Sequence, residues 1–179
     1  MSKIIAFSGK RGVGKTVASD YLRTKGFKKE SFASSLKELS DRLWWDTEQE
    51  NGCGLTAASK EKPFRSYPWT PREFMIDFGQ FMRKYDRDYW LRPILDTVRH
   101  PGLWTIDDVR FPNEYDGLKT LGAVLVRINR KPELNIYGKD LDDPSETGLD
   151  FHLFDYTIST NENLTLKDLH NKLDDLFKL

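Results

Sequence analysis

Apolar and polar positions fall into alternating blocks along the chain. Short apolar runs are each followed by a stretch with helical spacing. Lys3-Ile4-Ile5-Ala6-Phe7 is short, apolar and β-branched, as a buried strand is. Val17, Ala18, Tyr21 and Leu22 then recur with helical spacing, ending near Gly26. Phe27 to Ala33 predicts a second short strand, against the charge of Lys28-Lys29-Glu30. Ser34 or Ser35 can cap a helix with Leu36, Leu39, Leu43 and Trp44 on one face. Residues 46–68 are polar and carry Gly52, Gly54, Pro63 and Pro68, which predicts a long surface loop. Thr70-Pro71-Arg72-Glu73 opens the next helix, with Phe74, Phe78, Phe81, Met82 and Tyr85 as its apolar face. A short helix follows over Tyr89 to Val98. Leu103-Trp104-Thr105-Ile106 then reads as a buried strand ending at Asp107-Asp108. Pro112 suits the first position of another helix, with Leu118 and Leu121 inward and Gly122 just past its end. Ala123 to Ile128 is a strand, residues 131–150 are a polar excursion, and Tyr156 to Ser159 is a last strand. Thr165-x-x-Asp168 is a capping box that opens a final helix with Leu166, Leu169, Leu173 and Leu176.

Strands alternating with helices predict an α/β fold, a central parallel sheet with helices on both faces. No repeat, low-complexity tract or interdomain linker breaks residues 1–179, so a single domain is expected. Ligands of such sheets bind beyond the carboxyl ends of the strands. Gly9–Thr16 and Asp107–Arg110 both follow strands, so both belong on that edge.

The first of these stretches carries the most specific chemistry. Gly9-Lys10-Arg11-Gly12-Val13-Gly14-Lys15-Thr16 fits G-x-x-x-x-G-K-[ST], set between a strand and a helix that begins around Val17. Its glycines let successive N–H groups curl inward around a phosphate. The helix N-terminus adds free N–H groups and the positive end of its dipole. Lys15 is expected to reach the β/γ-phosphates and Thr16 to hold Mg²⁺. The motif implies a nucleoside triphosphate but not what receives the phosphoryl group.

Composition narrows the partners. Lys+Arg and Asp+Glu are 28 each, so net charge is zero. That balance argues against broad binding of nucleic acid or of an anionic membrane. A single cysteine, Cys53, suits a reducing cytoplasm, and Met1-Ser2-Lys3 opens straight into the first strand with no room for a signal peptide. The three histidines are scattered and show no zinc spacing.

Asp107 or Asp108 ends a buried strand, where a second carboxylate near the Mg²⁺ is expected. Capping explains Thr70, Pro71 and Glu73 but not Arg72. Pro112 and Glu114 likewise suit a first helical turn, whereas Asp108 and Arg110 need another account. Arginines there can meet phosphate oxygens bidentately. Asn129-Arg130-Lys131-Pro132 lacks the lysine position and the aspartate of a guanine-reading loop, which argues against a signalling GTPase.

These pieces together resemble the deoxynucleoside monophosphate kinases of tailed bacteriophages, relatives of the P-loop nucleotide kinases. The resemblance rests on the P-loop; Thr70-Pro71-Arg72-Glu73; Gly79 with Arg83 and then Asp88-x-Trp90; Asp108-Val109-Arg110-Phe111-Pro112-Asn113-Glu114; Ser145-Glu146; and Asp155-x-x-Ile158-x-x-Asn161. Pro144 stands where a more polar stretch is usual, and residues 46–68 match nothing in the pattern.

The resemblance implies a P-loop kinase-type three-layer sandwich with core segments at about 1–33, 101–130 and 151–179. It implies a helical insertion for the acceptor nucleotide at about 34–100 and a lid at about 131–150. The activity implied is phosphoryl transfer from ATP, with Mg²⁺, to a deoxynucleoside monophosphate. Lys15, Asp108, Arg110 and Arg130 would be catalytic, with Thr16 and Asp108 at the metal. Lys37, Trp69, Arg72, Arg83, Trp90, Asp108 and Arg127 would contact the acceptor, Arg127 and Arg130 standing at the base of the lid. No nucleic-acid or membrane partner is implied, a homodimer is allowed, and the place of action is the cytoplasm, the host's if the gene is a phage's. A P-loop kinase for another small acceptor, such as dephospho-coenzyme A or a metabolite hydroxyl, is the competing enzyme. A module that holds ATP without turnover is the competing non-enzyme.

Overall fold

The first strand, β1 (Lys3–Ser8), is buried from Ile4 to Ser8, and the rest of the sheet is built around it. The computed structural model describes residues 2–45, 68–131, 147–161 and 165–178. Among them a five-stranded sheet runs in the order β2-β3-β1-β4-β5, with β2 (Lys28–Glu30), β3 (Leu103–Val109), β4 (Val124–Lys131) and β5 (Tyr156–Asn161). Every neighbouring pair is parallel. The α/β fold expected from the alternation is therefore present. Because β1 and β3 are neighbours running the same way, the segments that leave their carboxyl ends emerge side by side.

Helices α1 (Lys15–Thr24) and α6 (Leu166–Phe177) cover one face. Ala18 and Leu22 of α1 and Leu169, Leu173 and Phe177 of α6 pack there on Ile5, Phe7, Val126, Ile128 and Ile158. Residues of the other parity, Ile4, Ala6, Ile106 and Leu125, are equally buried on the opposite face. There α5 (Pro112–Thr120) contacts β4, and α4 (Leu91–Val98) lies on α5. Gly117 permits that approach, since a Cβ on it would stand 3.1 Å from both δ-carbons of Leu91.

Some element limits differ from the sequence pattern. Only Lys28–Glu30 pairs as β2, because this edge strand has β3 alone as a partner. β4 continues past Ile128, pairing Arg130 with Thr160 and Lys131 with Asn161. The Thr165 capping box forms as expected, Asp168 N–H donating to Thr165 Oγ1 at 3.3 Å and Thr165 N–H to Asp168 Oδ2 at 2.9 Å. Leu166, at the first helical position, is exposed rather than inward, because the buried face begins at Leu169.

The chain divides into two compact units, one of Met1–Ser31 with Leu91–Leu179 and one of Phe32–Trp90. The smaller unit ends at Trp90, and α4 packs on α5 within the sheet unit. In the smaller unit, α2 (Ser34–Trp45) packs on α3 (Pro71–Tyr85). Gly79 lies at their contact, where a Cβ would meet Arg83 at 3.3 Å and Leu36 at 3.4 Å. Along α3 the rings of Phe74, Phe78, Phe81 and Tyr85 follow one another at 5.7, 6.5 and 5.0 Å. Phe81 is 52% and Tyr85 75% exposed, so this apolar face runs past the buried part of the helix.

Residues 46–67 of the predicted 46–68 loop, Cys53 among them, most of the predicted lid, Ser145-Glu146 and the side chains of Leu43 and Trp44 lie outside the described residues. Among the described residues, no helix is long and apolar enough to cross a membrane.

Candidate active site

The loop between β1 and α1 has the conformation its glycines allow. Gly9, Gly12 and Gly14 adopt φ of 144°, 79° and 106°. At Gly9 a second constraint applies, because a Cβ would sit 2.3 Å from the Ile128 carbonyl oxygen. Gly14 caps α1 without a side chain, so the first N–H groups of the helix keep no intrahelical acceptor. No acidic residue occupies that first turn. The outcome is an uncapped helix N-terminus beside a glycine loop, a geometry suited to an anion.

Lys15 is 7% exposed and folds back over this loop. Its Nζ donates to the Gly9 carbonyl at 2.6 Å and to the Lys10 carbonyl at 2.7 Å. Thr16, next along, is exposed at the helix start.

At the carboxyl end of β3 the ladder is irregular. Ala6 pairs with Ile106 and Ser8 with Val109, so two steps on β1 match three on β3. The extra residue falls at Asp107-Asp108, and such bulges re-aim side chains. Asp107 pairs with Lys29 Nζ at 2.9 Å, and Lys29 also meets Asp20 of α1 at 3.0 Å. Burial opposes the charge of Lys29, but its hydrogen bonds and charge attraction to Asp107 and Asp20 together outweigh this and leave the ammonium above its ordinary pKa. Asp108 has a different neighbour, accepting from the Ser31 hydroxyl at 2.6 Å. Arg110 follows at the turn into α5, where the buried Glu114 accepts from its backbone N–H at 2.8 Å.

No protein-family model matches the chain. A protein of Acanthamoeba polyphaga mimivirus, provisionally named a deoxynucleotide monophosphate kinase, is 31% identical over 192 residues, covering 95% of this chain and 93% of that one. The chain belongs to a nucleotide kinase family. An uncharacterised protein of Ictalurid herpesvirus 1 is 30% identical over 155 residues, and the match spans 58% of its length. Among solved structures, the Campylobacter jejuni dephospho-CoA kinase superposes with a TM-score of 0.53 at 11% identity, covering 99% of this chain and 96% of that one. The Bacteroides thetaiotaomicron shikimate kinase gives 0.51 at 12%, covering 99% of both chains. At these identities the likeness is one of fold, and the fold is the P-loop kinase fold.

The kinase's sheet unit brings the Gly9–Thr16 loop to the edge where Asp108 and Arg110 emerge. Arg127 also lies in this unit, tied on every side. Its Nη2 is 2.5 Å from Asp150, its Nη1 donates to Ser8 at 3.2 Å and its Nε to Asn129 at 3.4 Å. The guanidinium further sits 5.6 Å from the Phe154 ring centroid. It joins the end of β1 to the turn at Asp150, which is a structural bond whatever else the residue does. Arg130 is placed by its backbone on β4, and its side chain lies outside the described residues. Asp155 accepts from Lys119 and from the Leu125 N–H at 2.7 Å, anchoring the entry to β5.

In the kinase's smaller unit Arg72 sits in the first turn of α3. Its neighbours form a capping box, Glu73 N–H donating to Thr70 Oγ1 at 3.2 Å and Thr70 N–H to Glu73 at 2.6 Å. Trp69 stacks on Phe74 at 5.9 Å, Lys37 is half-buried on α2, and Arg83 lies over Gly79. Trp90 is 5% exposed and donates its indole N–H to the Gly79 carbonyl at 3.1 Å. Trp90 is thereby packed against α3. Sequence spacing did not single out Lys29, Ser31 or Asp150, each far along the chain from the residue it holds. For Lys29 there was a signal, a charge pair in an otherwise strand-like run.

Proposed function

We propose that the protein transfers the terminal phosphoryl group of ATP to a deoxynucleoside monophosphate, giving ADP and the deoxynucleoside diphosphate. The observation that carries this is the Gly9–Thr16 loop, with its positive-φ glycines, uncapped helix start and buried Lys15. The acceptor class comes from the mimivirus relative, which matches nearly end to end.

Both substrates are polyanions, so the protein's task is to position them and neutralise charge. Loop N–H groups and the α1 N-terminus bind the β- and γ-phosphates. Lys15 exchanges the carbonyls of Gly9 and Lys10 for phosphate oxygens, keeping its ammonium satisfied in both states. Arg110 and Arg130 neutralise charge on the transferring group. Arg72, with Arg83, Lys37 and Trp69 on the smaller unit, takes the acceptor. The donors suit Mg²⁺, since an exposed threonine hydroxyl and a carboxylate are the hard oxygens it prefers beside its own waters. Thr16 and Asp108 would hold it, Asp107 being already paired with Lys29. Bound there, Mg²⁺ supplies positive charge to the phosphates.

An ADP-release assay with a panel of acceptors tests this. ADP formation should depend on at least one deoxynucleoside monophosphate. A signal with dephospho-coenzyme A alone would move the protein to another acceptor class. Tight ATP binding with no turnover on any acceptor would make it a binding module.

A further inference from the structure

Among the described residues, three helices open on an acidic residue at their third position, and one differs from the other two. Glu73 and Asp168 are exposed, and each carboxylate takes the backbone N–H and the hydroxyl of a threonine cap, Thr70 and Thr165. At the start of α5 the cap is Phe111, which has no side-chain acceptor or hydroxyl to offer. There Glu114 Oε2 takes the Phe111 N–H at 3.1 Å and reaches one residue further back to the Arg110 N–H at 2.8 Å. It does so while 2% exposed. Burying a carboxylate is costly, and a surface threonine cap would close this helix without that cost. The extra bond lands on the backbone of Arg110 itself.

We infer that Glu114 is a positioning residue for phosphoryl transfer: it clamps the main chain at Arg110 and Phe111 so that the Arg110 guanidinium is presented in one orientation. The inference rests on the kinase function proposed above. Glu114 bonds the main chain and acts on the reaction through Arg110. Its loss therefore lowers kcat without changing ATP affinity.

A double-mutant cycle tests the clamp. Glu114→Ala should lower kcat about tenfold, and Glu114→Gln, which keeps an acceptor oxygen at the same reach, should restore it to within about threefold. Glu114→Asp is too short to hold both N–H groups and should behave as alanine, and it takes alanine's place in the cycle should that variant fail to fold. In an Arg110→Ala background, adding Glu114→Ala should change kcat by less than about twofold, while its loss of melting temperature persists in full. Independent, multiplying losses of kcat would show that Glu114 does not act through Arg110, and a loss of melting temperature with kcat unchanged in Glu114→Ala would show that it is merely a helix cap; either result would overturn the proposal. An Arg110→Ala enzyme with unchanged kcat would remove Arg110 from catalysis and the clamp with it. Absence of turnover in the unaltered protein would instead overturn the function proposed above.

Discussion

Replacing Gly9 by alanine measures how far the phosphate loop depends on its first glycine. At φ 144° an L-residue is strained, which costs about 1–2 kcal/mol. The new methyl would also lie 2.3 Å from the Ile128 carbonyl oxygen and 2.9 Å from a Val13 methyl. The first neighbour is backbone and cannot swing aside, so the loop must move away from β4, at roughly a further 1–3 kcal/mol. Gly26 is the control. It too has positive φ, at 90°, but nothing lies within 4 Å of its missing Cβ. Gly26→Ala should therefore show the conformational cost alone, ~2–8 °C of melting temperature, and Gly9→Ala about 4–20 °C. Because the displaced loop also carries the phosphate-facing N–H groups, ATP affinity measured by calorimetry should fall at least about tenfold for Gly9→Ala and stay unchanged for Gly26→Ala. Equal melting losses for the two variants would refute the steric part. Unchanged ATP affinity in Gly9→Ala would refute the assignment of the loop to phosphate.

Lys15→Ala should lower turnover by about a hundredfold or more with the fold intact by circular dichroism, because it removes a positive group at the transferring phosphate; near-normal kcat would count against the P-loop assignment. Arg72→Ala should raise the acceptor KM about tenfold and leave ATP affinity unchanged, since the α3 cap does not depend on it; a matching fall in ATP affinity would place Arg72 elsewhere. Burial pushes Asp155 up, but Lys119 and the Leu125 N–H outweigh it and hold the carboxyl below its ordinary range. Its contribution to stability is thus present above the unfolded value near ~4 and lost as pH falls through the lower folded value. The melting-temperature gap between the wild type and Asp155→Asn should accordingly close below about pH 4; a gap that widens there would contradict it.

What could be read from the sequence is what neighbouring residues do to one another. The loop at Gly9–Thr16 and the boxes at Thr70 and Thr165 are local devices, in which spacing along the chain is spacing in the fold. The apolar runs likewise revealed the strands and hence the parallel sheet. Partners brought together by the sheet were not legible. Ser31 and Asp108 are 77 residues apart, and Arg127 and Ser8 are 119 apart. No periodicity encodes such pairs, because chain-crossing order decides them. Nor did spacing reveal that the Trp90 indole N–H goes to the Gly79 carbonyl.

The same distinction explains the two aspartates that end β3. Adjacent in sequence, they are equivalent to any rule of spacing, and only the bulge and the neighbouring strand separate them. Lys29 reaches Asp107 from β2, the edge strand that pairs with β3. An ammonium at 2.9 Å supplies the charge that a cation would otherwise supply to the same oxygens. Asp108 accepts a hydrogen bond from the hydroxyl of Ser31, the residue just past β2. The two carboxylates therefore meet different partners, an ammonium from β2 and a hydroxyl from the residue just past it. The unlikeness of the two rests on Lys29, the residue whose charge made β2 look least like a strand.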